Sequence, residues 1–254
     1  MTSGAPAIGG KRAVLEAIRS GRANEVLVAR GAHRNEGLRD VLTAAERAGI
    51  PVAEVARSDL DAMASDHRGV AARVTAGADV STLGERDLGT HAWAADAIAV
   101  VLDGVEDPQN LGAAARSAEA AGASVLVTRT HRAASITPAA IRASAGALLH
   151  VPSARVANIS RALDRLRDAG FTAIGLDDGA ERSIYDEPCP EGRVAIVVGA
   201  EGAGLSRLVR EHCDVLVSLP MRGRVGSLNA SASLAATLYA YVLPTRVGAA
   251  AERG

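Results

Sequence analysis

Lysine is nearly absent from this chain of 254 residues: of its 28 basic side chains, Lys11 is the one lysine and the rest are arginine. Arginine's planar fork suits bidentate phosphate contacts, but so lopsided a ratio, beside so much alanine, reads first as the imprint of a GC-rich genome. Aromatic residues are also scarce, with one Phe, one Trp and three Tyr, which excludes a surface that reads bases by stacking them on aromatic platforms. Two cysteines, Cys189 and Cys213, exclude a disulfide framework and lack metal-ligand spacing, so no metal is expected. No run of about 18 uncharged apolar residues occurs, so no membrane span is expected. Residues 1–10 lack the apolar core of a secretory leader, which leaves the cytoplasm as the expected compartment.

What is present is an ordinary globular composition, 48% hydrophobic and 22% charged, long enough for one large domain or two of usual size. A net charge of −1 does not announce a polyanion binder, but its distribution is uneven. Residues 1–34 carry Lys11, Arg12, Arg19, Arg22, Arg30 and Arg34 against Glu16 and Glu25. Residues 129–165 carry Arg129, Arg132, Arg142, Arg155, Arg161 and Arg165 against Asp164 alone. Two such stretches on a neutral protein are candidate phosphate-tracking surfaces; a merely solvated surface is the alternative.

Residues 1–74 read as a small α/β unit. Helices are expected over 10–18, over 35–48 (with Gly49 and Pro51 just beyond) and over 59–64 (capped by Ser58), with strands at 25–29, 52–55 and 70–74. No cluster there suggests catalysis; Lys11, Arg12, Arg30, His33 and Arg34 fall at helix starts and strand ends, where a phosphate can be met. Periodicity fades over 75–96, which reads as a linker with Trp93 anchoring its far end on the next domain. From residue 97 strands alternate with helices. Strands are expected at 97–102, 124–128, 149–152, 171–176, 194–198 and 215–219. Helices are expected at 111–121, 138–148, 159–169 (capped by Asn158), 205–211 and 228–242. This predicts an α/β domain over 97–254 whose parallel sheet is covered on both faces, with functional groups at the carboxyl ends of strands. The tail beyond Pro244 reads as frayed.

Three segments carry chemistry. In DGVEDPQNLGAAARSAEAAG, Asp107-Pro108 turns the chain. Asn110 either caps the following helix or faces a site, and Arg116 either pairs with Glu119 at i+3 or serves a ligand. The slim run 112–115 allows a close neighbour. The second, GAEGAGLS over 199–206, approximates a phosphate loop, but Leu205 stands where the phosphate-binding lysine belongs and Glu201 adds the wrong charge. Nor is it a dinucleotide fingerprint, since Arg207 occupies the third glycine position. What remains is a glycine turn that brings backbone groups to a ligand beside one carboxylate. In the third, LPMRGRVGSLNASAS, Ser227 and Asn229 either cap a helix or line a site.

Together the segments DGVEDPQNLGAAARSAEAAG, VVGAEGAGLSRLVREHCDVLVSLPM and VGSLNASAS, in this order and spacing, resemble the TrmH/SpoU branch of the SPOUT RNA methyltransferases. The stretch from GGKRAVLEAIRSGRA to HRGVAARV is similar to the small L30e-like RNA-binding domain of the group that methylates a guanosine ribose in large-subunit rRNA, and EHCDVLVSLPM is especially close to that group. The run Ala113-Ala114-Ala115 departs from the family, where bulkier residues are common. The resemblance implies a homodimer that uses S-adenosylmethionine to methylate a ribose 2′-hydroxyl of ribosomal RNA, with transfer RNA, a resistance-type rRNA site or a non-catalytic assembly role as alternatives. It also implies a trefoil knot in the C-terminal domain, which no periodicity would suggest. By that resemblance Gly199, Leu219, Met221 and Leu228 hold the cofactor. Asn110, Arg116, Glu201, Ser227 and Asn229 form the polar active-site set, and Lys11, Arg12, Arg30 and Arg34 meet RNA.

Overall fold

The structure, a computed structural model, describes residues 7–32, 35–64, 67–74, 82–131, 133–134, 137–224 and 226–246. The chain forms two compact units, one comprising Met1–Val80 with Ser135–His150, the other Ser81–Ala134 with Val151–Gly254.

The small unit runs β1 (Ala7–Gly9), α1 (Lys11–Arg19), β2 (Ala23–Ala29), α2 (Glu36–Arg47), β3 (Val52–Val55), α3 (Arg57–Met63) and β4 (Val70–Val74). Its sheet has the order β1-β4-β2-β3, antiparallel except between β2 and β3. Helix α1 forms because Ala13, Val14, Ala17 and Ile18 recur on one face and are buried together. Helix α2 starts at Asn35, whose Oδ1 accepts from the Leu38 N–H at 3.2 Å. Ser58 does not cap α3 as expected. The helix begins two residues earlier, and the Asp59 carboxylate accepts from the Ala56 N–H at 3.2 Å.

Residues 135–150, read from the sequence as part of the long alternation, pack with this small unit. Helix α6 (Pro138–Ala143; α4 and α5 belong to the large unit) is capped by Thr137 and lies against β1. It ends before the expected Leu148, because Ala145 (φ 52) and Gly146 (φ 94) are left-handed and lead into a single 3-10 turn at Ala147–Leu149. Gly146 lies against Glu16, whose side chain a Cβ there would overlap. The same Glu16 carboxylate meets His150 Nε2 at 2.9 Å and Arg19 at 2.8 Å.

The large unit holds β5 (Thr82–Leu83), α4 (Asp87–Thr90), β6 (Ile98–Asp103), α5 (Pro108–Ala120), β7 (Val125–Arg129), β8 (Ser153–Val156), α7 (Ile159–Asp168), β9 (Phe171–Leu176), β10 (Arg193–Gly199), α8 (Arg207–Glu211), β11 (Val215–Val217) and α9 (Ala230–Thr237). Its seven strands are all parallel, in the order β11-β9-β10-β6-β7-β8-β5. The predicted parallel α/β sheet is therefore present. Every residue of β6 is buried, as a strand covered on both faces requires. On one face Ala99, Val101, Val127 and Val197 pack with Ile159, Leu163 and Leu166 of α7.

In the large unit three further expectations about the elements need correction. The strand expected at 149–152 lies at 153–156. Part of the expected linker is regular structure, since β5 extends the sheet beside β8 and α4 follows it. The last helix starts two residues later than 228, after Asn229, and runs on through a π-helical stretch at Leu238–Val242 to helical residues at 243–246. Trp93 is buried in the large unit as expected, edge-on to Phe171 and donating from its indole to the Leu88 carbonyl at 3.0 Å.

At Gly175 in β9, an added Cβ would stand 2.8 Å from Cys213 Sγ and from Leu216 Cδ2, and 2.9 Å from Leu205 Cδ1. The same enclosure pushes the Cys213 thiol up to about 12, through burial first and the neighbouring Asp214 charge second. Gly175→Ala is expected to destabilise the protein by about 1–3 kcal/mol through overpacking, read as a lower urea midpoint at unchanged slope. A midpoint within error of wild type would show that this corner yields without strain.

Candidate functional site

The carboxyl ends of β9 and β10 open onto a cleft of about 310 Å³. Its walls are Leu176–Gly179 at the end of β9, the 199–205 loop at the end of β10, Arg210 of α8, and Ser227, Leu228 and Ser233 around the start of α9. The loop is built by its glycines. Gly202 (φ 73) and Gly204 (φ 63) take left-handed turns, and Ala200 and Gly204 exchange backbone hydrogen bonds of 3.2 and 2.9 Å. Gly199 has no room for a side chain, since its Cβ would overlap the Gly204 carbonyl. Glycine at 199 is thus required by the loop's own backbone, and Gly199 itself lines the cleft. The ligand-facing surface is the outside of a closed turn.

The polar centre lies where three segments meet. Asn229 is the N-cap of α9: its Oδ1 accepts from the Ser231 N–H at 2.9 Å and the Ser231 hydroxyl at 2.6 Å. An acceptor at that place forces Nδ2 to the other side, where it donates to Asn110 Oδ1 at 2.8 Å and to the Glu201 carboxylate. Asn229 thus caps α9 with one end of its amide and links Asn110 and Glu201 with the other. Asn110 does not cap α5; Asp107 does, its Oδ1 accepting from the Gln109 N–H at 3.0 Å with Pro108 in the first turn. Released from capping, Asn110 is half-buried at a second cleft of about 300 Å³, lined also by Glu106, Asp107, Ala200 and Glu201. Glu201 borders both clefts.

The first cleft is acidic. Asp177, Asp178 and Glu201 face it against Arg210, which already pairs with Asp177 at 2.9 Å. Such a lining favours a cationic ligand. Asp177 and Arg210 were missed from sequence, although an Asp-Asp-Gly run directly after an apolar strand marks a functional strand end. Asp103 was missed too. It is 3% exposed at the end of β6, and its two oxygens accept from Arg129 at 2.7 Å and from the Ser206 N–H at 2.8 Å. One buried carboxylate thereby fixes the end of β7 and the exit of the 199–205 loop to β6.

Other expected residues are placed as follows. Ser227 and Leu228 line the first cleft, both exposed. Leu219 and Met221 are half-buried in the turn after β11 and line neither of these clefts. Arg116 is exposed on α5, makes no hydrogen bond or ion pair among the described residues, and lines neither of these clefts; the pairing with Glu119 does not form. In the small unit, the Lys11 ammonium donates to Asn35 Oδ1 at 2.6 Å, while Arg12 and Arg30 are exposed. Arg34 and His33 lie outside the described residues.

Comparisons with known proteins fit this arrangement. Residues 97–239 match the model of the SpoU rRNA Methylase family, and residues 7–78 match the model for RNA 2′-O ribose methyltransferase substrate binding. A protein of Mycolicibacterium vanbaalenii, named an uncharacterized tRNA/rRNA methyltransferase, is 41% identical over 234 residues, covering 90% of this chain and 73% of its own. The SpoU methyltransferase AviRb of Streptomyces viridochromogenes, solved with AdoMet, superposes with a TM-score of 0.76 at 28% identity over 95% of this chain and 90% of its own. A solved RNA 2′-O ribose methyltransferase gives a TM-score of 0.78 at 28% identity, over 95% and 88% of the two chains.

Two substitutions separate the roles of Asn229. Asn229→Ala removes the cap and is expected to destabilise by about 1 kcal/mol, while Asn229→Ser keeps a capping oxygen and stays within a few tenths, both read by urea denaturation. Equal losses would mean that the amide to Glu201 and Asn110, not the cap, holds the start of α9.

Proposed function

The chain belongs to the SpoU rRNA methylase family, and from that premise we propose that it methylates the ribose 2′-hydroxyl of a guanosine in 23S rRNA, as a homodimer in the cytoplasm. That it is an S-adenosylmethionine-dependent RNA methyltransferase follows from the family. The observation that carries the finer reading is the Asn229 amide, which joins Asn110 and Glu201 where two clefts share a wall. One cleft is suited to a methyl donor and the other to the nucleotide that receives the methyl. The guanosine target is supported by EHCDVLVSLPM, and the small unit's match to a substrate-binding model supports a structured RNA.

The lining of the first cleft fits the donor. S-adenosylmethionine carries a sulfonium and an ammonium cation, and Asp177, Asp178 and Glu201 face the cleft with carboxylates. Backbone groups of the 199–205 loop and of Leu228 border it as well, and its size lies within the range of ordinary small-ligand pockets. When bound, the cofactor supplies an already activated methyl group. The protein's own contribution is then alignment of the attacking oxygen and easing of its charge. Glu201, held by Asn229, keeps the shared wall in place. Asn110 offers its amide to the second cleft, and Ser227 a hydroxyl to the first. The trefoil knot remains part of this reading. The strand order β11-β9-β10-β6 and the return of residues 227–233 to the 199–205 loop support it.

Arg116 completes the site from a second copy of the chain. Six residues separate it from Asn110 on α5, which places it about 9 Å further along and about 120° around the helix, away from the face that Asn110 presents. An unpaired, exposed guanidinium next to small residues is suited to reach a neighbouring subunit's site. There it stabilises developing charge on the 2′-oxygen and grips the adjacent phosphate. It is not the base, because a guanidinium keeps its proton.

Arg116→Ala is expected to lose on the order of 10²-fold in methyl transfer while calorimetric binding of S-adenosylmethionine survives. Asn229→Ser lacks the amide donor to Glu201 and Asn110 and is expected to lose methyl transfer as Arg116→Ala does; mixing the two proteins is expected to restore roughly a quarter of wild-type activity, because half the dimers are mixed and each mixed dimer has one intact site. No restoration would place Arg116 in its own subunit's site. Mapping 2′-O-methylation in 23S rRNA and transfer RNA from cells with and without the gene tests the target. A change confined to transfer RNA overturns the ribosomal assignment, and a chain that binds no S-adenosylmethionine would be an RNA-binding assembly factor instead.

A further inference from the structure

A third cleft of about 450 Å³ lies in the large unit at the carboxyl ends of β7 and β8, and shares no residue with the two clefts already described. It is lined by Arg129, Asn158, Ser160, Ser206, Arg207 and Leu208, with Ala157. We propose that this cleft is a second point of attachment for the substrate, binding the phosphodiester backbone of RNA several strands away from the methylated ribose. This rests on the reading of the chain as an RNA methyltransferase and names a surface that the reading does not require.

The chemistry of the lining selects an anion. Asn158 uses Oδ1 to cap α7, accepting from the Arg161 N–H at 3.1 Å, so its Nδ2 donor faces outward. Ser160 and Ser206 add hydroxyls, and Arg129 and Arg207 add guanidinium groups. Arg155 stands next to this end of the sheet, in register with Thr128, and among the described residues donates to the Thr130 carbonyl at 3.0 Å. The nearby acids are all engaged. Asp103 is buried beneath Arg129 and Ser206. Glu85 accepts from the Ala157 N–H at 3.2 Å and from Arg161 at 2.8 Å. Glu211 holds Arg207 by an i,i+4 pair at 2.6 Å. Four arginines therefore stand against three occupied carboxylates in this neighbourhood.

Arg207 is the movable member. Its side chain is 77% exposed, and a surface pair of this kind contributes only a few tenths of a kcal/mol. Exchanging Glu211 for a phosphate oxygen is therefore cheap. An open, donor-rich cleft whose arginines come from separate segments suits a polyanion that can make several contacts at once, better than a single small phosphate. It also accounts for the basic stretch 129–165, which the methyl-transfer chemistry leaves without a role. Arg129, Arg155 and Arg161 of that stretch gather around this end of the sheet.

The test uses full-length protein, unmodified 23S rRNA transcribed in vitro, and polyuridylate as a backbone-only probe. Arg207→Ala is expected to weaken binding of both RNAs by about 5–10-fold at 0.1 M salt and to reduce the slope of log K against log salt by about 0.7–0.9, the signature of one lost phosphate contact. Leu208→Asp, at a residue that is 50% exposed in the cleft, is expected to weaken binding at least as much. Arg165→Ala, which removes one charge from the far end of α7, leaves the affinity within twofold, and S-adenosylmethionine binding is unchanged in all three variants. Wild-type slope and affinity in Arg207→Ala overturn the proposal, as does a normal Leu208→Asp beside a weakened Arg207→Ala, which would move the contact out of the cleft. A wild-type protein that binds and methylates no RNA would sink the methyltransferase reading itself, an outcome distinct from active protein with unaffected variants.

Discussion

The first turn of a helix leaves backbone N–H groups without intrahelical partners, and at α9 that need is met by the Asn229 oxygen. The rest of the site follows from this one requirement. A side-chain amide that gives its oxygen to a cap has its nitrogen pointing the opposite way, and here the nitrogen reaches Asn110 from α5 and Glu201 from the loop after β10. Serine or aspartate would cap the helix equally well, but neither carries a donor on the far side. The helix end is thus stabilised and three chain segments are joined by a single planar group, without any buried charge.

Beneath that link the parallel sheet sets the distances. Register between β6 and β10 places Asp103 beside Gly199, so the two strands end together. Asp103 then turns this alignment into a fixed loop by accepting from the Ser206 N–H. A buried carboxylate is tolerable only when its oxygens are satisfied, and both of them are. The glycine loop between these anchors folds on itself, so its backbone geometry is set before any ligand arrives. Rigid strand ends, a closed turn and a coupled amide together make a largely pre-formed site.

Much of this was legible in the sequence, for definable reasons. Continuous apolar strands such as 194–198 announced a sheet covered on both faces, and the three family segments are the ones from which Asn110, Glu201 and Asn229 meet. What could not be read was how each polar side chain divides its bonds. Asn110 and Asp107 are both good caps, and only the backbone turn at Pro108 decides for Asp107. The short strand β5 has two residues and no periodicity to display, so it was lost inside an apparent linker. Ser58 sits within α3 because Asp59 reaches back to the Ala56 N–H, a competition between neighbouring residues that composition does not resolve. Asp103 was passed over because an acid at a strand end resembles the start of a turn until its partners, Arg129 and Ser206, are placed around it.

The excursion of residues 135–150 into the small unit bears on the order in which the protein matures. A chain grows from its N-terminus, and leading domains commonly fold as they emerge from the ribosome. Here the segment that lies against β1, and that brings His150 to Glu16, is synthesised only after β5, β6, α5 and β7 of the other unit. The first unit to appear is therefore finished only after the second has been begun. Until residue 150 has emerged, β1 is uncovered on the side where α6 will lie. The two units are interleaved in time as well as along the chain.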